Sequence, residues 1–179
     1  LPITSNRLLE VIEQFVEQNS EGGRRAQAVV AGLMDVYAGS DRVESGRVND
    51  PSKQHPGDVC VRAIDDSDGF EKALEVRDKP VSVSDVQIFG KKCIDMGVQE
   101  AALVMVAVNQ PRLDDDALGD WANEFGLGLT LFYGWPAFVE QALFWSDLPK
   151  PSAASQAVGN IHKRLVSIEV SSDAVANWH

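Results

Sequence analysis

Hydrophobic residues near the start of the chain recur at helical spacing. Leu8, Ile12 and Phe15 form one apolar stripe with acidic and amide side chains largely outside it, which predicts an amphipathic helix over 5–18. Similar patterns, helix caps and terminating glycines predict further helices over 24–38, 82–96, 114–125, 135–145 and 152–165. The segment 165–170 either extends the last helix or forms an edge strand.

Strand patterns occupy the middle of the chain. Segments 58–64 and 71–78 flank a turn over 65–69, so they predict an antiparallel hairpin. Segment 101–108 is an unbroken apolar run, and 127–133 is also mostly apolar. Such runs are typical of strands that are buried on both faces.

The order of these elements predicts the fold class. Strands that are separated by helices run parallel through crossovers, so we expect an α/β fold with a mixed central sheet, an antiparallel hairpin plus parallel strands, flanked by helices. We expect one domain over 1–179, and its predicted parts are a helical start (1–39), a loop (40–55), an α/β core (56–146) and a C-terminal helix (151–179). The first residue is Leu1, with no leader-like segment, so we expect a piece of a longer protein.

Composition narrows the possible functions. With 179 residues, 44% of them hydrophobic, the chain can bury one substantial core, and it has no apolar run long enough to span a membrane. A net charge of −11 argues against a protein that coats DNA nonspecifically, although a small basic cleft can coexist with acidic flanks. We interpret Cys60 and Cys93 as free buried thiols in a reducing, cytoplasmic compartment.

The predicted hairpin carries the most informative polar residues. Asp58 opens its first strand after Pro-Gly, and Glu75 and Arg77 share one face of the second strand because side chains alternate. Two carboxylates and a nearby cation are the minimum set for holding a divalent metal against a phosphodiester. The alternative is a strand-opening aspartate beside a solvated ion pair, and alternation alone does not separate the two interpretations.

These residues also carry a resemblance to a known family. The sequences GDVCV at 57–61 and EVRDKPV at 75–81, followed by a capped helix and a buried strand, resemble the PD-(D/E)xK nuclease superfamily. Within it they look most like the SacI-type type II restriction endonucleases, and the resemblance spans about 56–108. It implies a restriction-endonuclease-like fold and a Mg²⁺-dependent endodeoxyribonuclease, with Mn²⁺ as a substitute, that restricts foreign DNA.

The resemblance also assigns roles to individual residues. It implies that Asp58 and Glu75 bind Mg²⁺ and that the carbonyl of Val76 faces the metal. The family has a lysine where this chain has Arg77, and arginine keeps its proton, so it cannot activate water as a base. Three interpretations stay open: Arg77 holds the scissile phosphate, Lys79 replaces the family lysine from the same strand face, or the site is weak or inactive.

The helix predicted after the hairpin supplies further candidates. Gln87 and Lys91 are four residues apart and share a face, so Gln87 would orient the attacking water. Lys91 or Lys92 would contact DNA phosphate. The alternative is an ordinary polar helix face.

The first two helices supply weaker candidates. Enzymes of this fold often add an acid from these helices, and Glu10, Glu13 and Asp35 are the candidates here. Arg24 and Arg25 are unfavourable at a helix start, which indicates either a phosphate contact or a solvated face.

Three functions are compatible with these residues. The first is a Mg²⁺-dependent endonuclease domain that acts on DNA, as a homodimer if both strands are cut, with other domains of a longer chain as further partners. The second is a catalytically inactive module of the same fold that binds DNA or assembles a defence complex. The third is an unrelated α/β domain.

Overall fold

The computed structural model describes residues 3–45, 54–65, 69–168 and 171–179. Within these ranges the elements are, in chain order, α1 Ser5–Gln18, α2 Arg24–Ala38, β1 Val43–Ser45, β2 Val59–Arg62, β3 Phe70–Arg77, α3 Val83–Asp95, β4 Glu100–Met105, α4 Asp115–Glu124, β5 Gly128–Tyr133, α5 Trp135–Trp145, α6 Lys150–Ser167 and α7 Ser172–Trp178.

The strands form one five-stranded sheet in the order β1-β2-β3-β4-β5. β2 pairs antiparallel with both β1 and β3, whereas β4 pairs parallel with both β3 and β5. Helices cover both faces, since α1, α2, α5, α6 and α7 contribute to one hydrophobic core and α3 and α4 to the other. The predicted mixed α/β sheet flanked by helices is therefore confirmed.

β3 separates the two cores by alternation. Leu74 belongs to the core beneath α2, while Ala73 belongs to the core beneath α3. Because side chains alternate along a strand, Glu75 and Arg77 lie on the α3 face of the sheet. The predicted site residues Glu75 and Arg77 therefore lie at the end of β3, beneath the helix α3 that follows it.

Helix starts follow the local sequence signals. The Thr4 hydroxyl accepts a hydrogen bond from Arg7 N at 3.1 Å and caps α1. Ser82 and Asp85 form the predicted capping box at the start of α3, which satisfies amide donors that have no partner within the helix. The Asp114 carboxylate caps α4 by accepting from Ala117 N at 3.0 Å.

Several predicted boundaries were wrong. The predicted loop over 40–55 contains β1, whose three residues are too few to show a strand period. β4 ends at Met105 and not at 108, because Val106 N makes the last strand bond, to Arg77 O, and a turn over 107–110 follows. Val108 is consequently 94% exposed.

The C-terminal prediction is resolved only in part. α6 continues to Ser167, which favours extension of the helix over an edge strand, and α7 was not predicted. Residues 169–170 of that alternative lie outside the described residues, as do 46–53 of the predicted loop and 66–68 of the predicted turn.

Two contacts between α2 and α6 hold the edge of the sheet in place. A Cβ on Gly32 would lie 2.6 Å from an Ile161 side-chain carbon, so this glycine permits close helix packing. Arg164 binds both carboxylate oxygens of Asp35, at 2.6 and 2.7 Å, and donates to Val43 O at 2.8 Å. Arg164 therefore links Asp35 to β1. Both carboxylate oxygens of Asp35 are engaged in this contact.

Both cysteines are free and buried, as predicted. In the part of the chain that the structure describes, every helix is too short or too polar to cross a membrane.

Candidate active site

Asp58 and Glu75 face each other across the start of β2. The β2–β3 register pairs Val59 with Leu74, so one further step places Asp58 opposite Glu75 on the α3 face. Their carboxyl groups lie close enough for each to influence the ionisation of the other.

The pKa values of Asp58 and Glu75 are both raised, as expected for two buried acids that face each other. Burial raises the pKa of Asp58, and the Val76 amide and the charge of Arg77 oppose that rise without cancelling it. Burial also raises the pKa of Glu75, and the charge of Asp58 raises it further. Two carboxyl groups that resist ionising side by side form a site that an added positive charge would stabilise.

The backbone of Val76 orients the aspartate. Val76 N donates to Asp58 Oδ2 at 2.9 Å. The N–H and C=O of one strand residue point to the same side, so the Val76 carbonyl is directed toward the β2 edge beside Asp58. This is the position that the resemblance implied for a backbone ligand.

Arg77 lies at the rim of the pair. Its Nη2 is 3.4 Å from Glu75 Oε2, and the side chain is 42% exposed compared with 13% for Glu75. The guanidinium is therefore held by the buried acid while it remains accessible to a ligand from solvent. Lys79 is exposed and lies in a bend beyond the end of β3, so the strand alternation that was expected to place it on the Arg77 face does not reach it.

Helix α3 covers the site. Phe89 packs over Gly57, where an added Cβ would lie 3.1 Å from the ring and 2.6 Å from Leu74 O. The positive charge of Lys92 opposes the rise in the pKa of both acids without cancelling it. The Lys92 side chain is exposed.

The other two candidates on α3 lie elsewhere around the helix. At 100° per residue, Gln87 is about 140° from Lys92, whereas Asp85, which senses the charge of Arg77, is only about 20° from it. Lys91 pairs with Asp95 at 3.8 Å. Of these three candidates, Lys92 is the one whose charge acts on both acids, and the roles of Gln87 and Lys91 stay predictions.

The candidates from the first two helices do not reach the pair. Glu10 pairs with Arg7 on the surface at 3.2 Å. Glu13 lines a separate cavity of about 300 Å³ at the ends of β4 and β5. Arg25 is 1% exposed and binds Glu21 and Phe15 O, so it forms neither a solvated face nor a phosphate contact, while Arg24 is exposed.

The residues present fit a hydrated divalent cation. Among the described residues no group of three or more His, Cys, Asp and Glu side chains could hold a metal ion. Mg²⁺, however, is commonly bound through one or two carboxylates while it keeps several waters. A cation bound between Asp58 and Glu75 would relieve the repulsion through which the charge of Asp58 raises the pKa of Glu75.

Two residues behind the pair were not predicted from the sequence. Gln27 of α2 donates through Nε2 to Ser45 Oγ at 2.8 Å and to Asp58 O at 3.2 Å. Ser45 belongs to β1, which was assigned to a loop. A buried glutamine in an otherwise apolar part of a helix was the one signal available.

The sequence matches the family described as the SacI restriction endonuclease C-terminal domain over residues 2–106, more than half of the chain. This chain belongs to that family. It is also 29% identical over 179 residues to the type II restriction enzyme SacI of Streptomyces achromogenes, a match that covers 98% of this chain and 48% of the relative. The resemblance to SacI-type enzymes is therefore confirmed, and the chain spans about half the length of that relative.

Proposed function

We propose that this chain carries the catalytic site of a metal-dependent endodeoxyribonuclease that acts in restriction of foreign DNA. The observation that carries the proposal is the largely buried carboxyl pair of Asp58 and Glu75, which the β2–β3 register places opposite each other. Membership of the SacI C-terminal domain family and the likeness to a type II restriction enzyme support the same activity.

Asp58, Glu75 and the carbonyl of Val76 would hold Mg²⁺, or Mn²⁺ in its place. Bound there, the cation would lower the pKa of a coordinated water and offset charge on the scissile phosphate. The chain's own residues prepare the site, because the Val76 amide orients Asp58 and the Phe89 ring, packed against Gly57, excludes bulk water on that side.

Arg77 would hold the scissile phosphate. Its exposed guanidinium offers several donors in a planar fork, while its contact with Glu75 fixes its position. Lys92 would supply a second positive charge from α3. We assign no role to Lys79, which lies beyond the strand, to Gln87, or to Lys91, which pairs with Asp95.

DNA is the proposed substrate, and the acidic chain as a whole provides little nonspecific attraction for it. With a net charge of −11, the affinity has to come from local cations such as Arg77 and Lys92, or from further domains. Cutting of both strands would require two sites, which a homodimer would supply.

A second candidate function has one observation in its favour. The resemblance implies a lysine at the position of Arg77, and because arginine keeps its proton, Arg77 cannot act as a base. The alternative is therefore an inactive module that binds DNA or assembles a defence complex.

Plasmid cleavage separates these functions. The purified chain is incubated with supercoiled plasmid and Mg²⁺ or Mn²⁺, beside Asp58→Ala and a metal-free control. We expect nicking or linearisation by the wild-type protein with metal only, and none by the variant. Metal-independent DNA binding without cleavage would favour the inactive module.

A further inference from the structure

We propose that Gln27 is a positioning residue for the metal-binding aspartate, acting through the backbone of Asp58 together with Ser45. This inference deepens the proposed function and rests on it. The hydrogen bond from Gln27 to Asp58 reaches the backbone carbonyl and not the carboxylate, so the role of Gln27 is to place Asp58 rather than to react.

The surroundings of Gln27 make its hydrogen bonds important. Its side chain is only 8% exposed, and its helix neighbours Ala26 and Ala28 are fully or almost fully buried. An amide in such a place costs free energy unless its hydrogen bonds are made. Gln27 makes them to the strands beneath α2, with Nε2 donating to Ser45 Oγ and to Asp58 O.

These bonds constrain the backbone of Asp58. Ser45 Oγ also lies 3.5 Å from Asp58 O, so α2, β1 and β2 meet at one carbonyl. Asp58 precedes β2 and follows the bend that contains Gly57, and it is therefore not itself held by the strand ladder. Gln27 and Ser45 hold its backbone from the α2 side, while Val76 N holds its carboxylate from the other side.

The elements that carry Gln27 and Ser45 are themselves fixed. Arg164 joins Asp35 of α2 to Val43 O of β1, so Gln27 and Ser45 lie on elements with a set spacing. A rigid support of this kind is what a metal ligand needs, because small displacements of a ligand weaken binding.

The test uses Gln27→Met, which keeps the length of the side chain and removes its donor, and Ser45→Ala as a second, milder variant. Ile161→Val is the matched control, since it loosens the packing of α6 on α2 without touching Asp58. Two quantities are measured in each protein: the Kd for Mn²⁺ by calorimetry, and the hydrogen-exchange protection of the Val76 amide without metal.

We expect Gln27→Met to raise the Mn²⁺ Kd about tenfold, within the range found when residues that orient metal ligands are removed. Protection of the Val76 amide should fall more than that of its neighbours in β3, and Ser45→Ala should show a smaller change in the same direction. Ile161→Val should leave both quantities unchanged at temperatures where it is folded.

Three results overturn the inference, and the third is distinguishable from the first two. If wild-type protein binds Mn²⁺, Asp58→Asn abolishes binding and Gln27→Met binds within twofold of wild type, then Gln27 has only a structural role. A merely structural role is also indicated if Ile161→Val weakens binding equally. If the wild-type protein binds no Mn²⁺, the proposed function fails and this inference fails with it.

Discussion

Asp58, immediately before β2, and Glu75 of β3 hold two largely buried carboxyl groups opposite each other. A pair of this kind is unfavourable when both members are ionised, because burial and mutual repulsion both oppose the second charge. The metal-free protein therefore contains a local source of instability at neutral pH, and this has measurable consequences.

Replacing Glu75 with glutamine should stabilise the metal-free protein. Burial first, and then the charge of Asp58, raises the folded-state pKa of Glu75 above its ordinary value. The folded state then binds the proton more tightly than the unfolded chain, so the free energy of unfolding falls as pH rises from the unfolded pKa through the folded one. At pH 7.5 with EDTA, urea unfolding should show Glu75→Gln to be about 1 kcal/mol more stable than wild type.

When unfolding is measured with Mn²⁺ in place of EDTA, wild-type protein should be more stable than Glu75→Gln. Wild-type protein gains stability from a ligand that binds only the folded state, whereas Glu75→Gln should gain little. Glu10→Gln, which removes an exposed acid, is the control and should behave as wild type in both conditions. A Glu75→Gln variant less stable than wild type in EDTA would show that the pair is not under electrostatic strain.

Arg77 should be needed for cleavage but replaceable by lysine. Arg77→Ala removes the cation at the rim of the pair and should lower the single-turnover cleavage rate about 100-fold, the scale seen when one transition-state donor is removed. Arg77→Lys introduces the residue type that the resemblance implies for the family and keeps the positive charge, so it should cleave faster than Arg77→Ala. Lys79→Ala should leave the rate near wild type, and a large loss in that variant would return the role to Lys79.

Lys92 and Lys91 are adjacent in sequence, but only Lys92 should contribute to DNA binding. Lys92 acts on both acids, while Lys91 pairs with Asp95 at the surface. Lys92→Ala should weaken duplex binding and reduce the slope of log K against log salt by about 1, as expected for one lost phosphate contact. Lys91→Ala should leave the slope unchanged. Fluorescence anisotropy at several salt concentrations measures both, and equal slopes would remove Lys92 from the site.

Gly57 should tolerate no side chain. A Cβ at this position would lie 2.6 Å from Leu74 O, so Gly57→Ala has to displace the chain immediately before Asp58. We expect a loss of about 1–3 kcal/mol in unfolding free energy and weaker Mn²⁺ binding in protein that remains folded. Gly119→Ala, in an open position on α4, should instead gain up to about 1 kcal/mol. Equal stability of the two variants would contradict the close approach at Gly57.

The predictable part of the fold was the part with a clear period or cap. Stripes such as Leu8, Ile12 and Phe15 gave the bounds of α1, and the capping box at Ser82 gave the start of α3. β1 is too short to show alternation, and its pairing with β2 depends on contacts distant in sequence. The last residues of the apolar run over 101–108 leave the sheet because β3, their partner, ends first at Arg77.

The candidate site, too, could be predicted from the sequence only in part. Asp58, Glu75 and Arg77 could be grouped from strand alternation, since one hairpin carries all three. The choice between Lys91 and Lys92 could not be made, because it depends on how α3 is rotated over the sheet. Gln27 was beyond reach for a similar reason, as its partner Asp58 is 31 positions away on another element.

The central claim is that Asp58 and Glu75 together hold one divalent cation. Diffraction from crystals soaked in Mn²⁺, recorded where manganese scatters anomalously, tests it most directly. We predict one strong peak with a carboxylate oxygen of each residue at direct coordination distance, about 2 Å, as for Mg²⁺. Full manganese occupancy at other residues, with none between these two carboxyl groups, would contradict the claim.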